Sequence, residues 1–278
     1  MNTFLLYLIT ILTTIALPVS LSAQNAGLPA KGNWGVSLDI APFIKQVDNF
    51  NKQNSPLFTP RIVNSPNAIS VKYFLKDDLA LRTKLRLGHT STTINSLVPA
   101  SVNTNPIDIN YLEESVKVNQ FNVGIIGGIE KRKSAGRVQG IFGGEAGILF
   151  ADGVKFNYTY ANPINIDVQS PETTDFSSQL GVNNIMSSSR ILSNNQGYTF
   201  TFLARAIIGA EYFITQNLSL GFEYAWGLDL SSSKDALVTE EYWDATNASV
   251  VRKETIYKGR TSFGIDNHQL MIGVSVYF

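Results

Sequence analysis

The chain has 278 residues, 22 basic against 22 acidic side chains, and no cysteine. Zero net charge removes the positive field that a nucleic-acid partner requires, and the missing thiols exclude disulfides, thiolate metal sites and an acylated lipoprotein. Charged residues are 16% of the chain, below the roughly 25% of an ordinary soluble domain, and 11% aromatics with 21 glycines suit a protein whose outer wall meets lipid.

Residues 1–23 read as a secretory signal peptide. Phe4 to Leu21 is almost uninterrupted Leu, Ile, Thr and Ala, Leu21-Ser22-Ala23 offers a small-residue cleavage site, and polar sequence begins at Gln24. Met1 to Thr3 carry no Lys or Arg, so the amino terminus supplies the only positive charge there. The competing reading is an uncleaved anchor, against which the apolar run is at the short end for a span of about 20 residues. Residues 24–278 then form one domain, and no uncharged apolar run in it is long enough for a transmembrane helix. A membrane crossing must therefore be made by a closed barrel.

Alternation of apolar and small or polar residues picks out eight strands in chain order. The first spans 33–43, with Trp34, Val36, Leu38 and Ile40 on one face and Asp39 on the other. The second, 68–75, sets Ile69, Val71, Tyr73 and Leu75 against Ser70, Lys72 and Phe74. A turn at 76–78 leads to the third, 79–90, where Leu79, Leu81, Leu85 and Leu87 oppose Arg82, Lys84 and Arg86. The fourth, 116–129, shifts phase near Gln120, which predicts a β-bulge. Residues 131–136 read as a second short turn. The fifth, 138–150, is rich in glycine, and Val154, Phe156, Tyr158 and Tyr160 prolong its alternation. The sixth, 198–213, and seventh, 218–230, flank a turn at 215–217 and carry Arg205, Glu211, Glu223 and Asp229 on their minor faces. The eighth runs from Leu270 to Phe278, and in the connection before it 237–242 and 249–257 read as two arms of a hairpin.

Connections after strands two, four and six are a handful of residues, whereas those after one, three, five and seven run to roughly 20, 25, 45 and 30. That parity predicts an all-β, eight-stranded antiparallel up-and-down transmembrane β-barrel with short periplasmic turns and long extracellular loops. The two faces then assign themselves. An exterior of Gly, Ala and Ser around a lumen of large aliphatics is implausible, so the large residues face lipid and the small face lines the lumen. A lumen charge network of Asp39, Lys72, Arg82, Lys84, Arg86, Glu145, Arg205, Glu211, Glu223 and Asp229 follows, joined by Glu130. Such near-balance predicts a paired plug, with a narrow fixed-charge pore as the alternative. Trp34, Tyr73, Tyr212 and Phe278 fall toward the periplasmic strand ends, and Tyr224 and Trp226, with Phe150, Tyr198 and Phe200, toward the outer ends, as aromatic girdles require.

Chemistry is sparse. His89 and His268 share faces with outward leucines and sit on strands that are not neighbours, so neither builds a nucleophile–base pair. The pattern HExxH is absent, and Glu240, Glu241 and Asp244 lack the spacing of a calcium loop, so neither metal nor cofactor is expected. No enzyme is expected either; a lipid-modifying site at the outer rim is the remaining catalytic form. The loop hairpins offer exposed sheet edges for an extracellular ligand or protein, unless they are only surface cover.

Gly143-Gly144-Glu145-Ala146-Gly147 and the terminal Gly273-Val274-Ser275-Val276-Tyr277-Phe278, with the signal and loop parity, resemble the outer-membrane β-barrel protein family common in the Bacteroidetes. The resemblance covers essentially the whole mature chain. It implies residence in the outer membrane of a Gram-negative cell, contact with outer-membrane lipid, and insertion by the barrel assembly machinery. That machinery would read the terminal strand through Val274, Val276 and Phe278.

Overall fold

A computed structural model describes residues 28–39, 68–101, 110–186 and 188–278; the signal-peptide reading falls outside them, as do the side chains of 68 and 266–269. The strands are β1 (Trp34–Asp39), β2 (Ala68–Lys76), β3 (Leu79–Pro99), β4 (Tyr111–Ala135), β5 (Val138–Ala151), β6 (Lys155–Thr159), β7 (Ile185–Met186), β8 (Ser189–Asn195), β9 (Thr199–Phe213), β10 (Leu218–Ser233), β11 (Ala236–Asp244), β12 (Ser249–Tyr257) and β13 (Thr261–Tyr277), with one short helix, α1 (Ser177–Leu180).

Eight of the strands close a barrel in the order β1-β2-β3-β4-β5-β9-β10-β13, each antiparallel to its neighbours. The last strand seals it against the first, Gly35 opposite Tyr277 and Leu38 opposite Val274. Among the described residues each of these eight strands has a partner on both sides, which closes the wall. Two-residue turns at Asp77-Asp78 and Gly136-Arg137, and a four-residue one at 214–217, mark one end of the barrel. The long connections mark the other.

Each wall strand alternates as the sequence demands, and large side chains stand outside. Leu81, Leu85, Leu87, Ile125, Ile129, Phe142, Phe202, Ile208, Phe222, Trp226 and Leu228 are all exposed, while every neighbour of opposite parity turns inward. Neighbouring strands approach closely enough at two inward positions to need glycine: a Cβ added at Gly209 would meet the Phe222 carbonyl oxygen, and one at Gly227 the Ala204 carbonyl oxygen.

The third and fourth strands outrun the sequence reading of 79–90 and 116–129, to Pro99 and from Tyr111, because they rise together into the loop-end sheet, and four further features differ from that reading. There is no bulge at Gln120, because β3 and β4 pair without a register break from Leu79 opposite Lys131 to Pro99 opposite Tyr111. What changes at that point is the surroundings. Below it the inward even positions meet the lumen; above it Val116 and Val118 meet an apolar layer outside the barrel, so the hydrophobic face switches while the backbone stays regular. Residues 131–135 belong to β4, and only Gly136, at φ 61°, and Arg137 turn. The eighth strand begins at Thr261 because a register shift against β10 between Ala225 and Gly227 flips the parity. Phe263 and Ile265 therefore share the outer wall with Leu270 despite their odd numbers. Finally, β6 does not prolong β5: the chain breaks at 152–154, and β6 takes over the upper half of β4, Ser115 opposite Thr159.

That handover builds a second layer. Beyond the barrel, β3 and β4 continue into a sheet ordered β3-β4-β6-β8-β11-β12, with β7 paired on β8. Its core is Ile94, Val116, Val118, Val154, Phe156, Tyr158 and Ile191, covered by Phe176 and by Leu180 of α1. Buried polar groups tie the covering segment down. Glu114 accepts from the amides of Ala161 (3.2 Å) and Thr174 (2.8 Å), and Asn162 donates to the carbonyls of Pro99 and Glu172, both at 2.9 Å. The long third and fourth connections are thus structure with a core of its own.

Candidate functional site

The inward faces of β1, β2, β3, β4, β5, β9 and β10 gather charge. Lys72, Arg82, Lys84, Arg86, Arg132 and Arg205 are buried together with Asp39, Glu130, Glu145, Glu211 and Glu223, six basic and five acidic groups. Half-buried Asp229, which accepts from Ser231 Oγ at 3.2 Å, brings the count to six and six. Alternation is the cause: residues two apart on one strand point the same way, so Arg82, Lys84 and Arg86 form a column, and Glu130 and Arg132 form another.

At mid-barrel Glu223 is gripped twice. Arg82 donates to it through Nη1 (2.7 Å) and Nη2 (2.8 Å), and Lys84 Nζ stands 2.6 Å from its Oε1. Glu145 takes Lys84 Nζ at 3.1 Å and Arg205 Nη2 at 2.9 Å. Two-point guanidinium–carboxylate pairing fixes geometry as well as charge.

Toward the turn end the network continues through Glu130, which is wholly buried. Its carboxylate meets Arg82 Nη1 at 3.1 Å, Arg132 Nη2 at 2.6 Å and Lys72 Nζ at 3.6 Å. Arg132 also donates through Nη1 to Gln139 Oε1 (2.6 Å), lies 2.7 Å from Glu211 Oε2, and donates through Nη2 to Tyr277 OH (3.0 Å). Tyr277 OH in turn donates to the Glu211 carboxylate at 2.7 Å. Below this lies an apolar floor of Phe74, Ala80, Phe213 and Tyr277, with Leu28 packed on it and the Arg132 guanidinium 4.9 Å from the Phe74 ring centre.

Of the sequence-predicted residues, Lys72, Arg82, Lys84, Glu130, Glu145, Arg205, Glu211 and Glu223 join this network. Arg86 is buried in the same column, and Asp39 is buried at the end of β1. Three members were not foreseen: Arg132, Gln139 and Tyr277. Arg132 was hidden by reading 131–136 as a turn, although the even-numbered series 124, 126, 128, 130 points to it.

On the outer wall, Trp34 and Tyr73 pack together near the turn end with ring centres 4.8 Å apart, and Trp34 exchanges backbone hydrogen bonds with Phe278 at 2.8 and 3.0 Å. Tyr212 is exposed one residue before the end of β9. At the loop end Phe150 and Tyr198 pair at 5.5 Å. Tyr224 and Trp226 stand outward on β10 with Leu228 and Leu230 beyond them. Val274 and Val276 lie on the outward-parity face of β13, opposite Leu38 and Val36 of β1.

His89 is exposed on β3, opposite Phe121; β3 and β13 are not neighbours in the sheet, and the His268 side chain lies outside the described residues. Among the described residues no group of three or more His, Asp or Glu is arranged to hold a metal, and no helix is long and apolar enough to cross a membrane. In the outer layer Arg190 pairs with Glu241 at 2.8 Å and lies 4.5 Å from the Tyr160 ring centre. Burial there pushes the Tyr158 phenol up to about 12. These groups hold the layer together, and Arg190 also lines a surface pocket with Thr173 and Met186. Comparison with protein-family models and with curated proteins finds no match for this chain.

Proposed function

We propose that this chain is an integral outer-membrane β-barrel protein, without enzymatic activity, whose lumen is closed by its own ion pairs and whose loop-end sheet meets the cell's surroundings. One observation carries the reading: the barrel is inside-out for a soluble protein, with lysines, arginines and glutamates buried and Leu, Ile, Phe and Trp exposed over the whole wall. In water such an exterior would drive association, because soluble surfaces rarely expose apolar patches beyond a few hundred Å². In a bilayer it is the required surface. Outer-membrane lipid is then the solvent of the wall, and the barrel assembly machinery is the partner during insertion, reading Val274, Val276 and Phe278.

The network bears on transport. Ions crossing the lumen would have to displace contacts of 2.6 to 2.9 Å that the charges make with one another. Purified, folded protein added to a planar bilayer is therefore expected to give no discrete conductance steps. Reproducible single-channel steps would replace the closed-lumen reading with that of a narrow pore.

A further inference from the structure

From the outer edge of the loop-end sheet we infer that β12 pairs antiparallel with β12 of a second copy of this chain, held in an apposed membrane. The inference rests on the outer-membrane reading above. β12 is the last strand of the sheet, and its far side meets no other strand among the described residues. Nine residues long and largely exposed, it presents unpaired backbone donors and acceptors along one edge.

The occupant follows from the sequence of that edge. In an antiparallel pair with Lys253 facing its own copy, Arg252 falls opposite Glu254, and Val250 falls opposite Ile256. Two-fold symmetry makes each match twice, so four cross-strand pairs on one face are complementary. Ile256 is 61% exposed, and Arg252, although its Nε lies 3.7 Å from Glu241 Oε2 of β11, keeps 72% of its side chain exposed to a partner. On the other face, the on-axis Lys253 is drawn to its own sheet, its Nζ 3.4 Å from Glu240 Oε1 of β11. Registers shifted by two residues lose this match: one shift puts Arg252 opposite Arg252, the other Glu254 opposite Glu254.

Direction selects the apposed membrane. β12 starts at the turn 245–248 and descends to residues 258–260, which enter the barrel strand β13. Copies standing in one bilayer therefore present β12 running in the same sense. Only copies facing each other across a gap present it in opposite senses.

The test uses the full mature chain in lipid vesicles. Flotation with the vesicles and a heat-dependent gel shift first establish insertion for each variant. Wild-type vesicles are expected to cluster. R252E and E254R each place like charges opposite one another twice, and each should slow clustering by about tenfold or more. Mixing R252E vesicles with E254R vesicles restores opposite charges at all four positions, and so does the double variant R252E/E254R. Both should cluster at close to the wild-type rate. Inserted wild-type protein whose vesicles stay dispersed would overturn the pairing and leave the barrel intact. Single variants that are not rescued by mixing would overturn it in favour of a different partner. Failure to float would remove the membrane reading on which the pairing depends.

Discussion

Replacing Glu130 with alanine is expected to cost the barrel about 3–5 kcal/mol, the penalty for leaving buried charge without its counter-ion. Among the described residues Glu130 is the one carboxylate that reaches all of Lys72, Arg82 and Arg132, so its loss strips a counter-ion from each, leaving Glu211 and Glu223 to hold them and one positive charge in excess in a lumen closed below by Phe74 and Phe213. The exposed pair of Lys131 and Asp78, 4.0 Å apart and more than half exposed on both sides, is the internal control. Asp78→Ala should cost about 0–1 kcal/mol. Urea unfolding of both variants in lipid vesicles measures the difference. Equal midpoints would mean that water enters the lumen and screens the network.

The second large effect concerns the other face. Ile208 stands outward near the middle of β9, 64% exposed and directly opposite Tyr224 of the next strand. Ile208→Arg should destabilise the folded protein in a bilayer by about 2–4 kcal/mol, the cost of a cation near the midplane on the lipid side. Were the wall wetted, the same exposed substitution would change stability by no more than about 0.5 kcal/mol. Unfolding in vesicles separates the two cases. A null result would place water, not lipid, around the barrel.

How much of this was legible beforehand depended on what each residue faced. Period-two alternation is a local signal, and where the two faces meet unlike surroundings it reads directly: Arg82, Lys84 and Arg86 against Leu81, Leu85 and Leu87 gave both the strand and the inside. The signal fails where surroundings change along one strand. Val116 and Val118 share the inward parity of Glu130 and Arg132, yet pack on the outer core, so regular backbone looked like a bulge. It fails equally where the backbone is irregular, as at residues 266–269, whose register shift hid the first half of β13.

Long-range pairing was the least legible part. Nothing local states that Lys155–Thr159 leaves β5 for β4, or that β11 lies beside β8, because each depends on a covering segment whose Phe176 and Leu180 make sense only in place. The β11–β12 hairpin was an exception: two alternating arms close around residues 245–248 within a short span. The charge network was found by parity alone. Its wiring, with Glu223 shared by Arg82 and Lys84 and Glu130 joining two groups of ions, needed the closed wall that brings strands far apart in sequence within reach.

The central claim is that the exposed apolar wall is a lipid-facing surface. It is tested most directly by recovering the mature chain from fractionated cells and comparing unheated with boiled samples on a denaturing gel. Recovery in the outer-membrane fraction, with the unheated sample migrating faster because the closed barrel survives detergent until heated, is the predicted result. A chain found in the soluble fraction, with identical mobility before and after boiling, would contradict the account.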